Sequence, residues 1–149
     1  VFSILSMKKL LSLCVLFALS SMMYAQKADD LIGTWLTEGG KSKIEITKKD
    51  GKYYGSIIWL RDPNNEQGKP KVDKHNSDES LRTRPILGLN LLEGFEWDDG
   101  EYEEGTIYDP ESGKTYSCEI TYEDMNTINV RGYIGFSLMG RTTVWTRVK

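Results

Sequence analysis

With one histidine and two cysteines in 149 residues, the chain is poor in the side chains from which metal sites and nucleophilic triads are assembled. A tetrahedral zinc site draws several Cys, His or carboxylate ligands together, and one His with one apolar-flanked Cys does not supply them. His75 stands in Asp73-Lys74-His75-Asn76-Ser77, where residues adjacent in a polar loop do not converge on an oxyanion site. Asp62 to Gly68 is rich in oxygen ligands, but Gln67 occupies the place where a calcium loop needs Gly. Phosphate-cradling glycine loops, a basic stripe suited to nucleic acid, and helical periodicity beyond a couple of turns are all missing. The acidic run Trp97 to Glu104 reads as a hairpin tip facing water rather than paired carboxylates across a cleft. No catalytic residue, metal ligand or cofactor is assigned.

Long apolar runs are scarce too. From Met7, the pair Lys8 and Lys9 leads into Leu10 to Leu19, then Ser20, Ser21 and Met23-Tyr24-Ala25. The run is short for a spanning helix and no stop-transfer pattern follows, so it reads as a signal peptide cleaved after Ala25, with Val1 to Ser6 an upstream extension. Leu13 before Cys14 is too bulky for a lipidation signal. Export to the periplasm or beyond the cell follows, without a permanent membrane anchor. Residues 26–149 then form one domain whose formal charge is more negative than the −3 of the whole chain, since Lys8 and Lys9 leave with the leader. Cys118 remains the single cysteine, a small buried hydrophobe at a strand position.

What the chain does have is period-two alternation. Ile44 and Ile46 alternate with Lys43, Glu45 and Thr47, and Asp50-Gly51 supplies a tight turn before Lys52 to Leu60. Tyr116, Cys118, Ile120 and Tyr122 share one face; Ile128, Val130, Gly132 and Ile134 share another. In the last run Val144 and Val148 oppose Thr143, Trp145 and Arg147. Asp99-Gly100, Asp109 to Gly113 and Glu123 to Asn126 carry turn chemistry. The expectation is an all-β, antiparallel up-and-down meander of about eight to nine strands, closed into a small calycin-like barrel so that no edge is left exposed.

Arg61 to Arg84 interrupts this rhythm as one long polar loop, either a lid or a solvated connection. Within it, Asn76 is expected to cap a single helical turn, with Glu79 completing the box, Leu81 docking inward and Pro85 ending it. The remaining aromatic and arginine residues divide in two. Trp59, Tyr108, Arg131 and Tyr133 are candidates to line a ligand pocket, with arginine pairing an anionic head; Trp35, Arg141, Trp145 and Arg147 are candidates to lock the barrel shut.

Gly33-Thr34-Trp35-Leu36, Gly55 to Leu60, Leu81 to Leu89, Tyr108 to Tyr116, Val130 to Gly135 and Gly140 to Val148 together resemble the bacterial exported family known as domain of unknown function 2147. That resemblance implies a small all-β exported protein without an established activity, and no catalytic residues are carried over from it. Gly33-x-Trp35 with a late arginine is also similar to the calycin barrels, the lipocalins and fatty-acid-binding proteins. No space exists between Leu36 and Ile44 for a helical lid, so any lid falls to the long loop. The expected function is non-catalytic binding of a small, partly apolar ligand with an anionic head. The alternatives are a protein-interaction or envelope-stress module with a solid core and, third, a hydrolytic enzyme.

Overall fold

The computed structural model describes residues 28–136 and 138–149, so the expected leader and the expected cleavage after Ala25 lie outside the described residues. The eight strands are β1 (Gly33–Leu36), β2 (Ser42–Lys49), β3 (Lys52–Leu60), β4 (Asn90–Asp98), β5 (Glu101–Asp109), β6 (Lys114–Asp124), β7 (Thr127–Tyr133) and β8 (Gly140–Arg147). Every sequential pair is antiparallel and β1 pairs with β8, closing the barrel in simple meander order. No helix among the described residues is long and apolar enough to cross a membrane.

The alternation decides which face turns inward. Ile44 and Ile46 of β2, Cys118 and Ile120 of β6, and Ile128 and Val130 of β7 are buried. Hairpins made by Asp50-Gly51 and Asp99-Gly100 hold all four residues at positive φ, the conformation that matches the right-handed twist of the flanking strands. In β8 the buried side chain is Trp145, while Val144 is exposed. The alternation expected through Ile134 stops one residue short: β7 ends at Tyr133, and Ile134 opens an exposed turn with Gly135 at φ 72°.

The barrel interior is filled by side chains. Trp35, Tyr53, Phe95 and Tyr102 are fully buried, and Tyr102 meets Tyr53 edge-on at 5.2 Å between ring centroids and Trp97 at 4.8 Å. Gly105 has to be glycine because the Phe95 ring occupies the space a Cβ would take. At Gly55 a Cβ would stand 2.9 Å from Leu92 Cδ1. Burial pushes the Cys118 thiol up to about 12, with the Glu119 charge adding to the effect, so this sulfur is a packing group.

The seam between β1 and β8 is short, with Trp35 opposite Arg147 and Leu36 opposite Thr146. Arg147 reinforces it: its guanidinium lies 4.2 Å from the centroid of the Trp35 ring. Its Nε donates to the Met125 carbonyl at 3.1 Å, and its Nη1 to the Ile32 carbonyl at 3.4 Å.

Two stability predictions follow from this packing. Arg147→Ala, which removes the stacked cation and its carbonyl bonds, should cost about 1–3 kcal/mol, with Arg147→Lys recovering part of it. Gly105→Ala should cost about 1–3 kcal/mol by overpacking against Phe95. Urea unfolding checks both; a midpoint equal to wild type in either variant contradicts the packing described.

Candidate functional site

One end of the barrel gathers the β1–β2 connection, the long β3–β4 loop, the β5–β6 turn and the β7–β8 turn. The loop runs from Arg61 through Leu89, farther than its polar stretch alone, because its last residues fold back on β3. Gly88 N–H donates to the Ile57 carbonyl at 2.8 Å, and Ile57 N–H to the Leu89 carbonyl at 2.9 Å. Its middle is tied by an isolated bridge between Val72 and Pro85 and by the Asp73 N–H donating to the Arg84 carbonyl at 2.9 Å.

Asp73 is the centre of this loop, a carboxylate with no exposure at all. Tyr108 Oη of β5 donates to its Oδ1 at 2.6 Å, while Asn76 Nδ2 and Arg84 Nε each donate to its Oδ2 at 2.8 Å. Burial alone would raise its pKa, but the hydrogen bonds from Tyr108, Asn76 and Arg84, with the Arg84 charge, hold it below the usual carboxylate range. The same contact acts oppositely on Tyr108, whose phenol is raised by burial and by donating to Asp73. Arg84 also stacks over the Tyr108 ring, 5.6 Å from its centroid. The loop is therefore latched to the outer face of β5, on the side opposite the inward-facing Ile107. At the β5–β6 turn the His75 carbonyl occupies the space that a Cβ on Gly113 would take.

The helical turn falls within this loop at Glu79–Leu81, with a different cap from the one expected. Asp78 is the N-cap, its Oδ1 accepting from Ser80 N–H at 2.9 Å. Asn76 is drawn inward to Asp73, and its Oδ1 accepts from Asp78 N–H at 2.9 Å. A buried carboxylate needs donors more than a short exposed turn needs a cap. Leu81 is half-buried.

Between the latched loop and β4 to β6 lies a cleft of about 630 Å³. Arg84 and Lys114 supply positive charge to it, Leu91, Tyr116 and Ile134 apolar surface, and Asn76, Thr115 and Tyr108 polar groups. Its one acidic group, Glu93, accepts from Asn90 Nδ2 at 3.0 Å. Lys114 makes no ion pair among the described residues, and Arg84 commits only Nε to Asp73. Two cationic groups thus face the cleft with hydrogen-bonding capacity to spare.

Of the four residues expected to line a pocket, Tyr108 borders this cleft. Trp59 sits at the end of β3 opposite Lys43, whose ammonium lies 5.1 Å from its ring centroid. A register shift between Lys43 and Ile44 sets that pairing. Arg131 and Tyr133 alternate with the inward Val130 and Gly132 and so lie on the outer face of β7. Arg131 Nη1 donates to Thr142 Oγ1 at 3.0 Å, and the Tyr133 phenol is raised by burial and then by Glu119. The four are not brought together. In the second group Trp35 and Arg147 meet at the seam. Trp145 is buried, with Nε1 donating to Thr143 Oγ1 at 3.0 Å, and Arg141 is exposed at the far end of β8 opposite Gly132. Asp73, Arg84 and Lys114 carried no sequence signal that set them apart from other charged residues of polar segments.

The sequence profile described as "Uncharacterized protein conserved in bacteria (DUF2147)" matches residues 33–147. The chain belongs to this family. Among solved structures, the DUF2147 barrel is similar to protein HP1028 from Helicobacter pylori, described as belonging to the lipocalin family. The two are 26% identical with a TM-score of 0.71, over 80% of this chain and 83% of that one. No curated protein matches the chain.

Replacing Asp73 by Ala should cost roughly 2–3 kcal/mol, less than a fully buried pair because Arg84 remains over a third exposed. It should also abolish hydrogen-exchange protection in the loop while sparing the barrel. Because the folded carboxyl titrates below its unfolded value of about 3.9, its contribution is complete above that pH and lost as pH falls through the lower folded value. Acid unfolding of Asp73→Asn should lack that part of the slope; an unchanged acid limb contradicts the latch.

Proposed function

We propose that the protein binds a small, partly apolar ligand with an anionic head, without converting it, in the cleft between the latched loop and β4 to β6. The observation that supports this most directly is the pairing of Lys114 and the free end of Arg84 with the apolar surface of Leu91, Tyr116 and Ile134. A carboxylate or similar head would take charge-assisted hydrogen bonds from the two cations while its apolar part lies on the cleft wall. The lipocalin-family neighbour fits a binding role, and the packed interior favours a site on the outer wall beside the long loop over one in the lumen. Trp35 and Arg147 hold the barrel shut at the seam and take no part in binding. The leader from Lys8 to Ala25 supports an exported protein that works in the periplasm or outside the cell, with residues 26–149 as its single barrel domain.

The test is tryptophan fluorescence and thermal stabilisation against fatty acids, other anionic amphiphiles and their uncharged alcohols. Anionic members should bind, and Lys114→Glu should weaken them about tenfold or more, the scale of one charge-assisted hydrogen bond, while leaving the alcohols unaffected. Silence across the whole panel, or equal binding by the variant, sinks the reading.

A further inference from the structure

From the turn between β7 and β8, we infer that this end of the barrel docks reversibly on an anionic lipid bilayer, inserting the turn's apolar side chains among the lipids. Ile134 is 67% exposed, Phe136 81%, Leu138 89% and Met139 72%, and residues 134–139 contain no charged side chain. The described residues of the turn are tied to one another, Met139 N–H donating to the Phe136 carbonyl at 3.0 Å and Ile134 N–H to the Met139 carbonyl at 3.3 Å. Soluble proteins seldom expose adjacent large apolar side chains without something to cover them.

Shape and charge together select the occupant. Its apolar side chains stand exposed on a strand-connecting turn and line no groove of their own, so they suit a deformable apolar medium better than a helix or strand that needs a concave seat. Cations flank it, with Arg141 directly after Gly140 and Lys114 sharing the cleft wall with Ile134. At the same end Leu87 is exposed in the long loop and Trp59 at the close of β3. The opposite end carries an acidic excess, with Asp50, Asp98, Asp99, Glu101, Glu123 and Asp124 in and beside its hairpins against Lys48, Lys49 and Lys52. The connections at the apolar end instead interleave acids such as Asp62, Glu66, Asp78, Glu79 and Glu111 with a similar number of lysines and arginines. An anionic surface therefore repels the far end and lets the apolar end approach, with Arg141 and Lys114 the charges beside the tip, which orients the barrel with that end toward the lipid. The inference stands whether or not the cleft holds a ligand.

The test places one tryptophan reporter at each end of the full-length chain, Phe136→Trp at the tip and Met125→Trp in the opposite β6–β7 turn. Both positions are exposed, and any effect of the apolar segment Leu10 to Leu19 is common to the two variants. On phosphatidylglycerol vesicles containing brominated lipid, emission added by Phe136→Trp over wild type should shift to the blue and be quenched. The response should weaken as salt rises, while the Met125→Trp emission stays that of water-exposed indole. Quenching of both reporters, or of neither, overturns the inference. So does a blue shift of Phe136→Trp that needs no lipid and grows with protein concentration, which would assign the tip to a second copy of the chain.

Discussion

Closing eight strands into a barrel requires the first and last to find each other across nearly the whole chain, and here the seam that does so is short. Two residues of β1 face two of β8, so the ladder alone supplies few hydrogen bonds against the entropy of closing so large a loop. Arg147 compensates by lying on the buried Trp35 ring while it reaches carbonyls on two other segments. One planar cation thereby ties the β1 entry, the β6–β7 turn and the last strand. The choice of arginine follows from its geometry: a flat, weakly hydrated guanidinium stacks on an indole and still donates in its own plane, which a lysine ammonium does not do.

Once the seam is closed, the small circumference dictates the rest. Phe95 fills the space beside Gly105, Leu92 the space beside Gly55, and the Tyr53 and Trp97 rings each pack against Tyr102. Glycines set opposite aromatic and branched side chains are how a narrow barrel admits large groups without distorting its strands. A lumen filled in this way leaves its wall and rim as the surfaces on which a ligand can be met. The long loop builds that surface because Asp73 is satisfied three times over, by a tyrosine of the barrel wall and by two residues of the loop itself. Burying a carboxylate is costly unless its lone pairs are filled, and the same requirement that neutralises the cost fixes the loop against β5.

Much of the barrel was legible because alternation and turn chemistry are local. Ile44, Ile46, Cys118, Ile120, Ile128 and Val130 announce an inward face, and Asp50-Gly51 and Asp99-Gly100 announce hairpins whose backbone needs only themselves. The cleft was not legible for the opposite reason. Asp73 looks like any loop carboxylate until Tyr108, far along the chain, is folded beneath it, and Lys114 looks like a solvated turn lysine until the loop stands across from it. Asn76 shows the same limit within a few residues: its spacing to Glu79 suits a cap, yet the buried carboxylate three positions earlier claims its side chain.

The sequence by itself determined a meander of short strands, its closing Trp and Arg, and a polar interruption, because each depends on spacing that the chain carries wherever it folds. Only the tertiary structure decided that Arg147 rather than Arg141 reaches Trp35, since strand register places one at the seam and the other at the far end of β8. It also decided that Arg131 and Tyr133 point away from the lumen and that the loop closes on the outside of the wall. Those outcomes rest on which face of a strand turns inward and on which distant donors meet a buried charge, and both are fixed by packing across the barrel.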